Sequence, residues 1–328
     1  MDRELLDAAA RRGVIEPAQV DALMAFADEY LHRDDEDAEG EEQLRFVRSF
    51  GDIFITLGVL FVTIAMAQFD LVGFERIAPI VVLTATAEWL VRVRRLALPG
   101  IALLLALLYF VGSIVGFDDT HTGLISSAAV ALVSGAYFWR YRMPFSTVPL
   151  TLGLFGVVLS VFGLTVEETL SSAPLVIGLG GLVFVGAMGF DASDRERRNW
   201  RSDTGFWLHL LAAPLLVHGS MSMLLANGDD EVINALITLA FFGGFVLVAL
   251  FIDRRAMLVS SLGYAIASVG YLLTRGEFEL GDVVLTVIIG FGVFVILIGA
   301  YWAKLRRVLF AGVFGDAGIA RHVPPFRH

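Results

Sequence analysis

The chain has 328 residues, 57% of them hydrophobic, a formal charge of −10 and no cysteine. A soluble domain is nearer 45–50% apolar, so the excess needs lipid to face, and the acidic balance argues against a nucleic-acid partner. The missing cysteine removes disulfides, thiolate nucleophiles and thiolate metal sites together.

Residues 1–50 are the sizeable polar part of the chain. Leu5, Leu6 and Ala9 share one helical face, Gly13 can close that helix, and Pro17 suits the first turn of a second. Val20, Leu23, Met24 and Ala27 continue an apolar stripe, so residues 1–33 read as a cytoplasmic helical hairpin. Residues 34–50 read as an acidic linker and interfacial segment. They open on Asp34, Asp35, Glu36 and Asp37, and then alternate Leu44, Phe46, Val47 and Phe50 with Arg45 and Arg48. The segment before the first span is charged and has no apolar run of the kind that heads a secretory leader.

Residues 51–303 carry ten apolar runs of about 20 residues, the length that crosses some 30 Å of hydrocarbon. They lie near 51–69, 75–91, 97–116, 122–139, 144–165, 173–190, 203–226, 231–252, 256–274 and 280–302, the second being the shortest. Residues 304–328 form a basic tail. Of the 24 Lys and Arg residues, all but Arg76 and Arg275 fall in the two tails and on every second loop. Positive loops stay in the cytoplasm, so the split predicts an inner-membrane protein with both termini inside. Trp89, Trp139, Trp200, Trp207 and Trp302 all sit at the basic ends of spans, as an aromatic belt would. The fold class is therefore all-α: a polytopic membrane helix bundle whose first partner is the bilayer.

Ionisable groups inside spans are costly and are the first place to look for function. The seventh span holds His209, Pro214 and His218. Pro214 cannot donate to the carbonyl of Leu210 and should open the helix there. On the transport reading, His218 and that carbonyl line a hydrated route for a small solute or a proton, with Glu88 nearer the cytoplasm. Nine residues turn a straight helix by half a rotation, so the two imidazoles face opposite ways and cannot share a metal. The competing reading has both histidines hydrogen-bonded to neighbouring helices. Glu88 likewise has two readings: an interfacial partner of Arg92 one turn on, or a coupling carboxylate facing the bundle. The span glycines, Gly153, Gly156, Gly178, Gly180, Gly181, Gly186, Gly189, Gly243, Gly244, Gly290, Gly292 and Gly299, are expected at close helix contacts. The sequence holds no His-Glu-x-x-His pair, no Gly-x-Ser-x-Gly elbow and no phosphate loop, so it assigns no catalytic residue, metal or cofactor.

Leu6 to Ala22, containing Gly13-Val14-Ile15-Glu16-Pro17-Ala18-Gln19-Val20, is followed by Arg45-Phe46-Val47-Arg48-Ser49-Phe50-Gly51-Asp52 and the start of the first span. This layout resembles uncharacterised bacterial polytopic membrane proteins that join a short cytoplasmic helical hairpin to a multi-span body. The resemblance implies a topology and no catalytic residues. It leaves two functions open: a small-solute or ion-coupled transporter, or a membrane-embedded sensor or scaffold whose hairpin recruits a cytosolic protein.

Overall fold

The computed structural model describes residues 6–7, 10–17, 19–26, 49–69, 73–116, 120–194, 199–225, 231–274, 280–311 and 323. The acidic run, the interfacial stretch before Ser49, most of the acidic loop residues and most of the tail lie outside them. The chain divides into a unit of Met1–Gln43 and a unit of Leu44–His328.

In the first unit, helical residues stand on either side of a turn at 12–16. Gly13 makes that turn at φ +70°, a conformation that needs no Cβ, and its N–H donates to the carbonyl of Ala10 at 3.0 Å. Leu6 and Val20 are buried, one from each side of the turn.

The second unit is helical, with no strand among its described residues. Its helices are α1 (Phe50–Ala67), α2 (Ile77–Ala87), α3 (Ala97–Val115), α4 (Thr120–Tyr141), α5 (Thr147–Val161), α6 (Val166–Ser171), α7 (Ala173–Ser193), α8 (Trp200–Leu225), α9 (Glu231–Ile252), α10 (Ala256–Thr274), α11 (Leu280–Ala300) and α12 (Trp302–Arg306). A helix stands at each of the ten predicted spans. Among the described residues, eight are long and apolar enough to cross a membrane, counting α5 from Pro144. The other two are α2 and α4. α2 has only 11 α-helical residues and continues as a six-residue π turn, Glu88–Val93. α4 has 22 residues and carries Ser126, Ser127 and Ser134 among its apolar ones.

α6 falls between the apolar runs near 144–165 and 173–190, where hydropathy marks no helix. It forms because Thr165 accepts from the N–H of Glu168 at 3.1 Å, while the Glu168 carboxylate accepts from the N–H of Thr165 at 2.8 Å. Those bonds hold the Glu168 carboxyl below the usual carboxylate range. A lowered folded value means that this capping contribution is present above the unfolded value and fades as pH falls through the folded one.

Apolar packing gathers in two large clusters and a smaller one, Val183 and Ala187 of α7 with Leu208 and Ala212 of α8. In the first, α3 is the inner helix, with half of its span buried; Leu103, Leu104, Leu107 and Phe110 meet Val59, Leu83, Leu90 and Tyr137. The second gathers Ala213, Leu250, Met257, Ile298 and Trp302, together with Val323 from beyond the last helix. Lipid cannot drive helices together as water does, so close approach depends on small residues. A Cβ on Gly153 would stand 2.6 Å from the backbone nitrogen of Ala131, which seats α5 on α4. Gly180 of α7 meets Leu215 and Leu216 in the same way, and Gly219 of α8 meets Ile177. The expectation that the span glycines all serve such contacts is corrected. A Cβ at Gly178, Gly181, Gly186, Gly189, Gly243, Gly244, Gly290, Gly292 or Gly299 would meet nothing within 4 Å.

The contrast is measurable. Gly153→Ala should lower stability in detergent by about 1–3 kcal/mol, because backbone must move to admit the methyl. Gly186→Ala should leave the unfolding midpoint unchanged or slightly raised, given the open space and alanine's helix preference. Equal effects at the two positions would refute this account of the α4–α5 contact.

Candidate functional site

The most enclosed polar cluster lies at the basic end of α7, α8 and the α9–α10 turn. Asp191 occupies the last turn of α7 and is buried. Arg254, equally buried, reaches it from the α9–α10 turn with both arms of its fork: Nη2 donates to Oδ1 at 2.5 Å and Nε to Oδ2 at 3.1 Å. His209 of α8, with no exposed surface, places Nε2 3.0 Å from Oδ2. Arg254 Nη2 also donates to the carbonyl of Ser202 at 3.0 Å. Gly205 makes room for this arrangement, since a Cβ there would stand 2.3 Å from Oδ1 of Asp191. The ring of Phe184 meets the imidazole edge-on at 5.2 Å.

The turn that delivers Arg254 is built locally. Asp253 takes a left-handed conformation at φ +58°, and the N–H of Arg254 returns to the carbonyl of Ala249 at 2.9 Å, which closes the end of α9. Trp302 Nε1 donates to Asp253 at 2.7 Å, and Arg306 Nε donates to the carbonyl of Leu250 at 3.1 Å. Carbonyls that a helix end leaves without intrahelical partners are thus met by side chains from the end of the membrane body.

Glu88 anchors a second cluster at the basic end. It accepts from Arg140 Nε at 2.8 Å and Nη2 at 2.9 Å, from Tyr141 at 3.2 Å and from Arg92 at 3.3 Å. The Arg92 pairing is the predicted one. The Arg140 fork adds a tie from α2 to α4 that no spacing in the sequence announced. Its carboxylate is over a third exposed, so it is an interfacial tie and not an enclosed one.

The structure brings none of His209, Pro214, His218 and Glu88 into one site. His209 faces α7 and is enclosed. His218, nine residues on, lies on an exposed face and its Nδ1 is 2.9 Å from the hydroxyl of Tyr264 on α10. Pro214 is exposed within a continuous α8, one turn from His218 on that face. The three cavities described in the membrane unit lie elsewhere, at α4–α5, at α1–α3 and at α10–α11. Among the described residues, no group of three or more His, Asp or Glu could hold a metal ion.

Asp191 and Arg254 were the residues that sequence reasoning passed over. Each sits at a span boundary, where a charge normally reaches water. The available signal was Gly205 opposite Asp191, a small residue between bulky ones. Chemically the cluster is a closed ionic brace. Both carboxylate oxygens are engaged.

A helical bundle with eight bilayer-length apolar helices and charges tied together inside it is an integral membrane protein. No family model, curated protein or solved structure matches the chain.

Removing one member of a buried ionic group strands the others. Asp191→Asn or Arg254→Ala should therefore cost about 3–5 kcal/mol of stability. The combined replacement Asp191→Leu with Arg254→Met should cost less than the two single changes added together, which a double-mutant cycle by thermal unfolding in detergent would read. His218→Ala should cost no more than about 1 kcal/mol.

Proposed function

We propose that this chain is a membrane-embedded scaffold or sensor. Its spans anchor it in a plasma membrane with both termini cytoplasmic, and its N-terminal unit engages a cytosolic protein. One observation carries the choice over a route along α8: the Asp191 cluster is a closed brace and the Glu88 cluster an interfacial tie, both at the basic ends of helices, while Pro214 and His218 lie on an exposed face. Transport needs polar groups converging on a cavity near the membrane centre. In the N-terminal unit Val14 is 74% exposed and Phe26 is 61% exposed, apolar surface that a partner would cover.

A second reading has one specific observation in its favour. A cavity of about 480 Å³ between α4 and α5 is lined by Ser126, Ser127 and Ser160 beside Gly153 and Gly156. Hydroxyls in such a space suit a small neutral solute, and this would be transport by a route other than α8.

The cysteine-free sequence is a ready background for testing both. Single cysteines at Leu210, Pro214 and His218 should resist a membrane-impermeant thiol reagent in intact membranes, whereas one at Ser193 should react only from the cytoplasmic side. Modification at Pro214 and His218 would restore the α8 route. Modification at Ser127 and Ser160, blocked by a solute, would favour the second reading. For the scaffold itself, a photocrosslinker at Val14 should give one discrete adduct in cells, lost in Phe26→Asp. Absence of any adduct counts against it.

A further inference from the structure

Several hydroxyls in the spans are spent on their own helix. Thr56, Thr63, Thr84, Thr86 and Thr151 each donate to the carbonyl one turn back, at 2.6–2.8 Å. Ser127 of α4 and Ser160 of α5 depart from this habit: neither hydroxyl has a hydrogen-bond partner among the described residues. Both stand on the wall of the cavity of about 480 Å³ between these two helices. The mouth of that cavity is set by the end of α5. Gly163 takes a left-handed φ of +71°, and the N–H of Leu164 returns to the carbonyl of Leu159 at 2.9 Å. Leu164, Thr165 and Val166 are thereby turned onto the rim, at the acidic end of the pair, where Glu168 takes up the Thr165 hydroxyl. Deeper in, the two helices close on each other. Gly153 lies so near the backbone of Ala131 that a Cβ would stand 2.6 Å from its nitrogen, so α4 and α5 leave no passage between them at that level. The described lining residues carry no charge.

We propose that this cavity is a binding site, blind at its deep end, for a neutral solute bearing several hydroxyl groups, and that it is the input of the sensor. The binding follows from the cavity itself, while the role as input rests on the sensor reading. A charged solute would leave water with no counter-charge to meet it. A hydrocarbon would leave the Ser127 and Ser160 hydroxyls unbonded. A serine hydroxyl donates and accepts, and so does each hydroxyl of a polyol or sugar, so the two match in either sense. Val130, Leu152 and Leu159 offer apolar wall to the C–H face of such a molecule. The volume lies within the range of small-molecule sites, about 300–1,000 Å³. A blind cavity holds its solute and does not pass it on, which suits sensing and not transport.

The test uses the full chain with Leu164→Cys as a reporter at the rim, in the cysteine-free background. Glycerol, erythritol, sorbitol and D-glucose are the probes. At least one should slow alkylation of the reporter by a water-soluble maleimide, by about tenfold at ten times its half-saturating concentration. Gluconate and cyclohexane should not. Ser127→Ala and Ser160→Ala should each raise the half-saturating concentration roughly five- to tenfold. Neither should lower the thermal unfolding midpoint, because no bond within the protein is lost. In proteoliposomes the labelled solute should bind without accumulating in the lumen. Protection by none of the four probes overturns the proposal, as does protection by gluconate or cyclohexane, or protection that survives both substitutions. A lowered midpoint in Ser127→Ala would make that hydroxyl structural, and uptake into the lumen would make the cavity a route; either overturns it as well. The site and the sensor reading fail separately. Absence of the Val14 adduct with protection intact removes the role as input and upholds the site, whereas loss of protection with the adduct intact removes the site alone.

Discussion

Asp191 is a carboxylate taken out of water near the end of an apolar helix, and the later part of the membrane unit is arranged around its neutralisation. An ion that loses its hydration must regain several kcal/mol from its neighbours or lose its charge. Here a guanidinium fork and an imidazole supply the contacts, and they come from α8 and from the α9–α10 turn. Three pieces of chain well apart in sequence are therefore fixed at one point. Gly205 is explained by the same demand, because a side chain there would occupy the carboxylate's place. So is the left-handed turn at Asp253, which sets the guanidinium at the depth of the acid.

The earlier helices follow the same scheme in a wetter setting. Glu88 ties α2 to α4 through the Arg140 fork, again at the basic end and again beside a tight turn, with Arg142 at φ +52°. Solvent screens that pair, so it contributes less than its geometry suggests. The firm hold in this part comes from apolar packing round α3 and from backbone contact at Gly153. Both parts are held by close packing, and the later one adds a charge that must be met.

Much of the architecture was legible in the sequence because lipid imposes a length and a composition on anything that crosses it. All ten apolar runs are helices, and their ends differ from prediction by a few residues. α6 was missed because its signal is a single cap, Thr165 with Glu168, between two stronger patterns. The spacing of His209 and His218 foretold that they face different neighbours, yet nothing in it named Asp191, Arg254 or Tyr264 as those neighbours. Such pairings depend on how helices are ordered round one another, which periodicity within a helix does not encode. The glycines failed as a guide for a related reason. A helix face rich in glycine permits close approach, but whether a neighbour takes it up is decided by the whole bundle, and α11 presents Gly290, Gly292 and Gly299 to open space.

Val323 lies 12 residues beyond the last described helical turn at Ala311, yet it is 1% exposed among Ala213, Leu250, Ile298 and Trp302. That places an order on assembly. During synthesis the packing round α3 has every participant available once Tyr137, Met143 and their neighbours have been made. The cluster round Trp302 lacks one of its members until all ten apolar helices and most of the following segment have left the ribosome. Until then, the apolar surface that Val323 covers is open, so this part of the bundle is the last to close.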